Sequence, residues 1–276
     1  MPVPVPEITP WPVEAIWEAI APQLPGFTIE VVPEIDSTNA ELMRRLRSGC
    51  ADPVLLIAEH QSAGRGRMAR PWHSSTALAG APGPGSLTFS LGLPMAPKDW
   101  SGLSLAVGLS LAHSLHPDIR LKWPNDLWWQ GRKLAGILIE TANAGAGSLL
   151  GSRYVVIGIG LNIQRPAVAG LSTEPCGLVD LQPGISVAQA LTLIVEPLME
   201  TLRTFEQQGF APFQHPFNAR DALAQVAISM SDGTQGLAQG VDSVGALQVQ
   251  TAQGLVRVTS AEVSVRPQPG LAARQM

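Results

Sequence analysis

The chain changes texture at Ala224. Up to Leu223, short apolar runs that suit strands alternate with segments of helical period. Beyond it come only short β-like runs, punctuated by Asp232-Gly233, Gly236, Gly240, Gly245 and Gly254. Alternation in Leu247-Gln248-Val249-Gln250 and Val256-Arg257-Val258 places every second side chain on one face, as in a half-buried strand. One packing period cannot serve both parts. The reading is an α+β body followed by a small all-β domain of roughly five short strands. The divisions expected are a Pro-rich extension over 1–30, the main domain over 31–222 and the β domain over 223–276.

In the body, Val13 to Ala21 reads as a short helix between Pro12 and Pro22, and Phe27 to Val32 as a strand. Val54 to Glu59 reads as a buried strand, Leu87 to Leu93 as another, and Trp100 to Leu115 as a helix ended by Pro117. Val187 to Gln208 is a long amphipathic helix interrupted by Pro197, and Phe210 to Leu223 continues as helix. Ser74 to Ser86 is a low-complexity surface insertion rich in Gly and Pro. The apolar run from Leu103 to Leu115 is broken by Ser104, Gly108, Ser110 and His113, so it reads as a core helix rather than a membrane span. The start, Met-Pro-Val-Pro-Val-Pro, lacks a signal-peptide pattern. Cys50 and Cys176 alone make neither a disulfide framework nor a metal site, so a cytoplasmic protein is expected. With 45% hydrophobic and 14% charged residues the chain can build a sizeable core, and a net charge of −4 argues against a general nucleic-acid binder.

Against that acidic balance, Glu59 to Trp72 is locally basic: Arg65, Arg67 and Arg70 fall within six residues, with Gly64 and Gly66 alternating with the first two. Glycine lets backbone approach a ligand closely, and the arginine fork matches carboxylate and phosphate oxygens. Alone, the stretch reads either as a solvated basic loop or as a grip on a polyanion. Asp36-Ser37-Thr38-Asn39 reads likewise as a helix N-cap or as a cluster of hydroxyls and amides for a polar ligand head.

Only three of the 18 basic residues are lysine: Lys98, Lys122 and Lys133. Two of them lie eleven residues apart in Ile119 to Glu140, where two β-type runs flank Gln130-Gly131 and predict an antiparallel hairpin. Pro124 is expected to kink the first run and turn Asn125 and Asp126 out of the ladder. Lys122, Lys133, Asn125 and Asp126 then converge on one sheet face, either as solvated hairpin charges or as a site. Tyr154 to Ile163 reads as a buried strand whose Gly158 and Gly160 admit something packed closely. It carries no dinucleotide fingerprint, and no Walker A sequence occurs anywhere.

Taken together these stretches resemble the biotin protein ligases. The motifs are Ser37-Thr38-Asn39, Glu59 to Arg67, Lys122-Trp123-Pro124-Asn125-Asp126, Arg132-Lys133-Leu134-Ala135-Gly136-Ile137 and Gly158-Ile159-Gly160-Leu161-Asn162, in the family's order, with a β-rich tail similar to its C-terminal domain. The resemblance covers about Val32 to Pro267. It implies a mixed central β-sheet with flanking helices, like class II aminoacyl-tRNA synthetases, followed by an SH3-like barrel. It implies activation of biotin with ATP to biotinyl-5′-AMP, then transfer to one lysine of a biotin carboxyl carrier protein. Mg²⁺ is expected on the ATP phosphates, without a dedicated protein cage.

Carried over by residue, the resemblance puts Ser37, Thr38, Asn39 and Gln61 around the biotin head. It puts Gly64, Arg65, Gly66 and Arg67 in a loop that closes over biotin and nucleotide. Arg67 and Lys133 would contact the carboxylate and α-phosphate, while Trp72, Asn125 and Asn162 would hold the adenine and ribose side. Asp126 would orient or deprotonate the carrier lysine, with Lys122 balancing charge. The short Pro-rich start points to a form without the DNA-binding domain of many relatives, hence no DNA partner. The family's homodimers, formed by extending the central sheet, are not readable from any residue here. The nearest rivals are a lipoate protein ligase and a non-catalytic biotin sensor. Met68 and Ala69 depart from a pattern in which a further basic residue and a glycine would be unsurprising.

Overall fold

The computed structural model describes residues 9–75, 83–143, 152–168, 170–171, 173–259 and 265–268. The insertion between Ser74 and Ser86 lies largely outside them. The chain divides into two compact units, Met1–Met95 with Leu134–Pro197, and Ala96–Lys133 with Leu198–Met276. No helix among the described residues is long and apolar enough to cross a membrane.

The first unit begins with helix α1 (Val13–Ile20), which buries Ile16 and Ile20. Its sheet contains β1 (Thr28–Ile35), β2 (Val54–Gln61), β3 (Ser86–Met95), β6 (Arg132–Asn143, whose first two residues belong to the second unit) and β7 (Arg153–Asn162). β1 and β2 pair in parallel, and β2–β3, β3–β7 and β7–β6 pair antiparallel, so the sheet is mixed. The parallel pair needs a crossover. Helix α2 (Thr38–Arg47) supplies it.

Register explains where polar residues collect. Directly opposed residues of an antiparallel pair share a face, and faces alternate along a strand. One face presents Leu55 and Ile57 of β2, Leu87, Phe89 and Leu91 of β3 and Val155, Ile157, Ile159 and Leu161 of β7, all buried. The opposite face is apolar only at one end, where Leu42 and Leu46 of α2 pack into a cluster with Val54, Leu56, Tyr154 and Val156. Gly92 leaves the space for this: a Cβ there would stand 2.3 Å from the Tyr154 hydroxyl and 3.0 Å from Leu42. Burial pushes the Tyr154 phenol up to about 12, and its hydroxyl donates to the Asp52 carbonyl at 3.1 Å. Further along the same face, Ser90, Thr88 and Ser86 of β3 lie opposite Gly158, Gly160 and Asn162 of β7. The face thus passes from bulky apolar to small and polar beneath the start of α2.

The second unit contains α3 (Leu103–Leu115), β4 (Arg120–Lys122), β5 (Asp126–Trp129), part of α4 (Val187–Gln208), α5 (Gln214–Ala219) and β8 to β12. The last five strands are Ala227–Met230, Gln235–Val241, Leu247–Thr251, Gly254–Val258 and Val265–Pro267. They form one antiparallel sheet in the order β11-β10-β9-β8-β12, the expected small β domain. Two details differ from the sequence reading. The first run of the expected hairpin is itself a hairpin: β4 and β5 pair across the cis Trp123–Pro124 bond, so Asp126 stands in the ladder opposite Lys122, and only Asn125 lies in the turn. The second reversal occurs at Gln130-Gly131 as expected, both with positive φ. The helix expected from Phe210 to Leu223 contracts to α5 after a 3-10 turn over Ala211–Phe213. The chain then leaves the helix because its backbone pairs with Leu121: Leu121 donates to Arg220 and Ala222 donates to Leu121, at 2.8 and 2.9 Å.

Trp123, fully buried, donates through its indole to the Gly245 carbonyl at 3.1 Å and joins the β4–β5 turn to the C-terminal strands. Arg220 reaches the carbonyls of Ala112, His116, Pro117 and Ile119, satisfying acceptors left open at the end of α3. Beside it, Asp221 is buried. One carboxyl oxygen accepts from the Leu223 amide at 2.8 Å, and the other has no hydrogen-bond partner among the described residues.

Two stability predictions follow from these packings. Leu42→Ala should lower the unfolding free energy by about 2–5 kcal/mol, seen as a fall in the urea midpoint, because it empties the cluster under α2. Burial raises Asp221 from 3.8 to about 6. A raised carboxyl favours the fold when protonated, so its contribution is complete below pH 3.8 and is lost as pH rises through about 6. Asp221→Asn should therefore be more stable than the parent at pH 7.5, by at most about 3 kcal/mol, and no more stable below pH 4. Paired denaturation curves at the two pH values check this.

Candidate active site

The first unit assembles its polar residues at the N-terminus of α2. Ser37 is the N-cap, accepting from the Ala40 amide at 3.4 Å and receiving its own orientation from Asp36, which accepts from the Ser37 amide at 2.7 Å. Hydrogen bonds from Arg44 hold Asp36 down to about 2. The cap reading of this stretch is thus observed. Yet Ser37, Thr38 and Asn39 are each only 3% exposed, which a surface cap does not require.

Their partners come from distant strands. Gln61, the last residue of β2, accepts from the Thr38 amide at 2.8 Å and lies 3.1 Å from the Thr38 hydroxyl. Ser90 of β3 contacts the Thr38 hydroxyl at 2.7 Å and Asn39 Oδ1 at 2.6 Å. Asn39 donates from Nδ2 to Glu140 at 2.9 Å and to the Leu138 carbonyl at 3.3 Å, both on β6. Gly158 makes the arrangement possible, since a Cβ there would stand 2.0 Å from Asn39 Oδ1. Ser90 and Glu140 were not singled out in the sequence. The available signal was the period-two Ser86, Thr88, Ser90 row inside a strand that is otherwise buried and apolar.

Beyond Gln61 the arginine loop folds back on itself. Gly66 donates to the Arg70 carbonyl at 2.8 Å, Trp72 to Gly64 at 2.9 Å, and Arg65 bridges Pro71. Gly64 is required at the crossing: a Cβ would meet the Trp72 carbonyl at 2.6 Å. Arg67 opens a short 3-10 turn in which Met68 and Ala69 both have φ of 55°, the left-handed region that glycine occupies without a Cβ penalty. Arg65 is exposed, while Arg67 and Gly66 are half-buried. Trp72 lies on Gly160, where a Cβ would stand 2.4 Å from the indole, and its Nε1 is buried without a partner among the described residues. Gly158, Gly160 and Asn162 share one face of β7, so the close approach expected at these glycines is made by Asn39 and Trp72. Asn162, at the end of that row, is buried.

The second unit brings three other candidates together. Lys133 Nζ is 2.7 Å from Asp126 Oδ1, and Lys122 Nζ is 4.0 Å from Asp126 Oδ2. Lys122 also lies 5.3 Å from the centre of the Trp128 ring, a favourable place for an ammonium ion. The side chains of Lys122, Asp126 and Lys133 are 11, 15 and 31% exposed, so these are not freely solvated hairpin charges. Asn125 occupies the intervening turn. One carboxylate between two ammonium groups leaves the cluster net positive, suited to anionic oxygens.

Among the described residues no group of three His, Cys, Asp or Glu is placed to hold a metal ion. Asp126, the carboxylate of the cluster, is already paired with Lys133.

Known proteins share much of this sequence and fold. Residues 31–162 match the biotin/lipoate A/B protein ligase family, and residues 225–266 match the biotin protein ligase C-terminal domain. The bifunctional ligase/repressor BirA of Escherichia coli is 34% identical over 260 residues, covering 88% of this chain and 76% of that protein. The biotin–[acetyl-CoA-carboxylase] ligase of Mycobacterium tuberculosis is 32% identical over 252 residues, covering 85% and 88%. The fold is shared with the biotin protein ligase of Aquifex aeolicus, solved with biotin and ATP, at a TM-score of 0.72 and 24% identity over 87% of this chain and 99% of that one. Sequence and architecture together place the chain in the biotin protein ligase family.

Proposed function

We propose that the residues assembled above carry out the two half-reactions of a biotin protein ligase. Biotin is activated with ATP to biotinyl-5′-AMP, and its acyl group is then passed to a lysine of a biotin carboxyl carrier protein, with the acetyl-CoA carboxylase carrier as the expected acceptor. The observation that carries the reading is the buried amide and hydroxyl cluster at the start of α2. A purely structural cap would not need four polar side chains, Ser37, Thr38, Asn39 and Gln61, at most 9% exposed. A cyclic urea carries both a carbonyl and N–H groups, and such a cluster can pair with both. We assign residues 31–222 to the catalytic domain and 223–276 to the C-terminal domain, consistent with the matched ranges.

In the first half-reaction a biotin carboxylate oxygen attacks the α-phosphorus of ATP. The new C–O–P linkage forms, the bond to the β-phosphate oxygen breaks, and pyrophosphate leaves. Two anions must approach each other, so cationic donors are needed where charge accumulates. Arg67 is assigned to the carboxylate and α-phosphate, with Lys133 in a like role and Arg65, Gly64 and Gly66 shaping the loop. Ser37 spends a lone pair on Ala40 and keeps its proton, which suits the ureido carbonyl. Trp72, Asn125 and Asn162 are assigned to the adenosine side. Mg²⁺ would arrive with ATP and would offset the charge of its phosphates.

In the second half-reaction the carrier lysine amine attacks the acyl carbon, the amide bond forms and AMP leaves. Asp126 is assigned to receive or orient the amine proton through Oδ2, which lies 4.0 Å from Lys122 while Oδ1 is held at 2.7 Å by Lys133. Lys122 offsets the charge that develops. A cytoplasmic location and a homodimer formed through an open sheet edge belong to the same reading. β1 stands at such an edge. No DNA partner is assigned.

Pyrophosphate exchange into ATP, with biotin or lipoate supplied in turn, tests the reading. Exchange dependent on biotin alone is expected. Exchange with lipoate alone would make the chain a lipoate ligase, and none with either would make it a sensor. Arg67→Ala should slow biotin-dependent exchange by about 100- to 1,000-fold and release the adenylate faster. Retention of wild-type rate and adenylate lifetime would remove the assignment. Asp126→Asn should leave exchange near wild type and slow transfer to the carrier by at least about 100-fold in single-turnover assays. Equal losses in both half-reactions would count against that division.

A further inference from the structure

The hydrogen bonds beneath Thr38 have a direction, and the direction follows from counting protons. Asn39 Nδ2 faces two acceptors, the Glu140 carboxylate at 2.9 Å and the Leu138 carbonyl at 3.3 Å. Turning the amide over would set oxygen against both. Asn39 Oδ1 therefore faces Ser90, and an amide oxygen can only accept. The single Ser90 proton is spent on that 2.6 Å contact. At 2.7 Å from Thr38 Oγ1, Ser90 Oγ is then left to accept. The Thr38 proton has two destinations, Ser90 Oγ and Gln61 Oε1 at 3.1 Å, and both lie within the network. In either state Thr38 Oγ1 has no proton left for a ligand and offers it only lone pairs.

We propose that Glu140 and Ser90, acting through Asn39, are positioning residues that lock the Thr38 hydroxyl as an acceptor and so select a ligand head carrying an N–H. This rests on the ligase reading above and adds to it a physical basis for substrate choice. A cyclic urea supplies the N–H. A dithiolane head such as that of lipoate has none and would leave a buried acceptor unpaired, a penalty that separates related ligands strongly. The direction is set by two acceptors on β6, the Leu138 carbonyl and the shorter contact to the Glu140 carboxylate, and Glu140, outside the motifs, is the one a substitution can remove. The network is shielded from water, which could otherwise exchange protons with it: Thr38 and Asn39 are 3% exposed and Ser90 is 0%. Gly158 removes the Cβ that would displace Asn39 Oδ1.

The test uses the full chain in biotin-dependent pyrophosphate exchange, with biotin and ATP varied separately and thermal unfolding recorded for every variant. Ser90→Ala and Glu140→Leu should each raise KM for biotin by about tenfold to a hundredfold while KM for ATP stays within about twofold. Glu140→Gln, which retains an acceptor for Asn39, should restore the wild-type KM for biotin. A biotin analogue methylated on its ureido nitrogens should compete poorly with biotin for the parent chain, and the disadvantage should shrink in Ser90→Ala. Because Glu140 is only partly buried, its variants keep the test open if Ser90→Ala folds poorly. The inference is overturned if KM for biotin is unchanged in both Ser90→Ala and Glu140→Leu, or if KM for biotin and ATP rise together. It is overturned also if Glu140→Gln behaves like Glu140→Leu. Absence of biotin-dependent exchange in the parent chain would overturn the ligase reading itself, a result distinguishable from these.

Discussion

The amide of Asn39 lies against β7 only because residue 158 has no side chain, and much of the first unit depends on that fit. The α2 helix approaches the sheet closely enough for its first residues to be buried because small residues occupy the strands beneath it. Farther along the helix, Leu42 and Leu46 meet a bulky apolar surface and supply the adhesion. The same sheet face therefore does two things along its length. One end holds the helix by removing apolar area from water, and the other accepts the helix terminus into a polar niche. A Cβ at Gly158 would push the two ends out of level.

The chemistry-bearing motifs were legible because each is short and local. The N-cap sequence does cap a helix, the glycine-arginine stretch is a loop, and the paired glycines mark close approach. What escaped is what depends on two distant segments meeting. Ser90 and Glu140 lie 51 and 101 residues from Asn39 along the chain; the period-two polar row of β3 marks Ser90 as unusual, but nothing local names Asn39 as its partner. The split of the 119–140 segment into two reversals escaped for another reason. Taken locally, Pro124 predicts a kink that expels Asp126, whereas a tight turn lets Asp126 return to the ladder and face Lys122. The contraction of the helix after Phe210 has a similar origin. Pro212 and Pro216 fit only the first turn of a helix and so break residues 210–223 into short pieces, and the backbone of Leu121, about a hundred residues earlier, pairs with the chain where the last piece ends.

The lysine–aspartate–lysine group illustrates how a charged site is mounted without being buried outright. Its turn is fixed by Trp123, which enters the core and reaches Gly245, and β4 is fixed by the backbone around Arg220 and Asp221. The charged ends stay partly wet, so their desolvation cost is modest, while their stems are held. Two of the chain's three lysines meet at Asp126, whereas Lys98 takes no part in the group.

The left-handed pair Met68-Ala69 has a thermodynamic consequence. A residue with a Cβ pays roughly 1–2 kcal/mol to sit in that region, so the self-bonded loop is held against a bias toward other backbone states. Any ligand that requires this geometry must draw on a population smaller than the whole, and its apparent affinity falls in proportion to that fraction. Under the roles proposed for Arg65 and Arg67, two ordinary side chains in a glycine-like conformation would loosen the grip on the adenylate rather than tighten it.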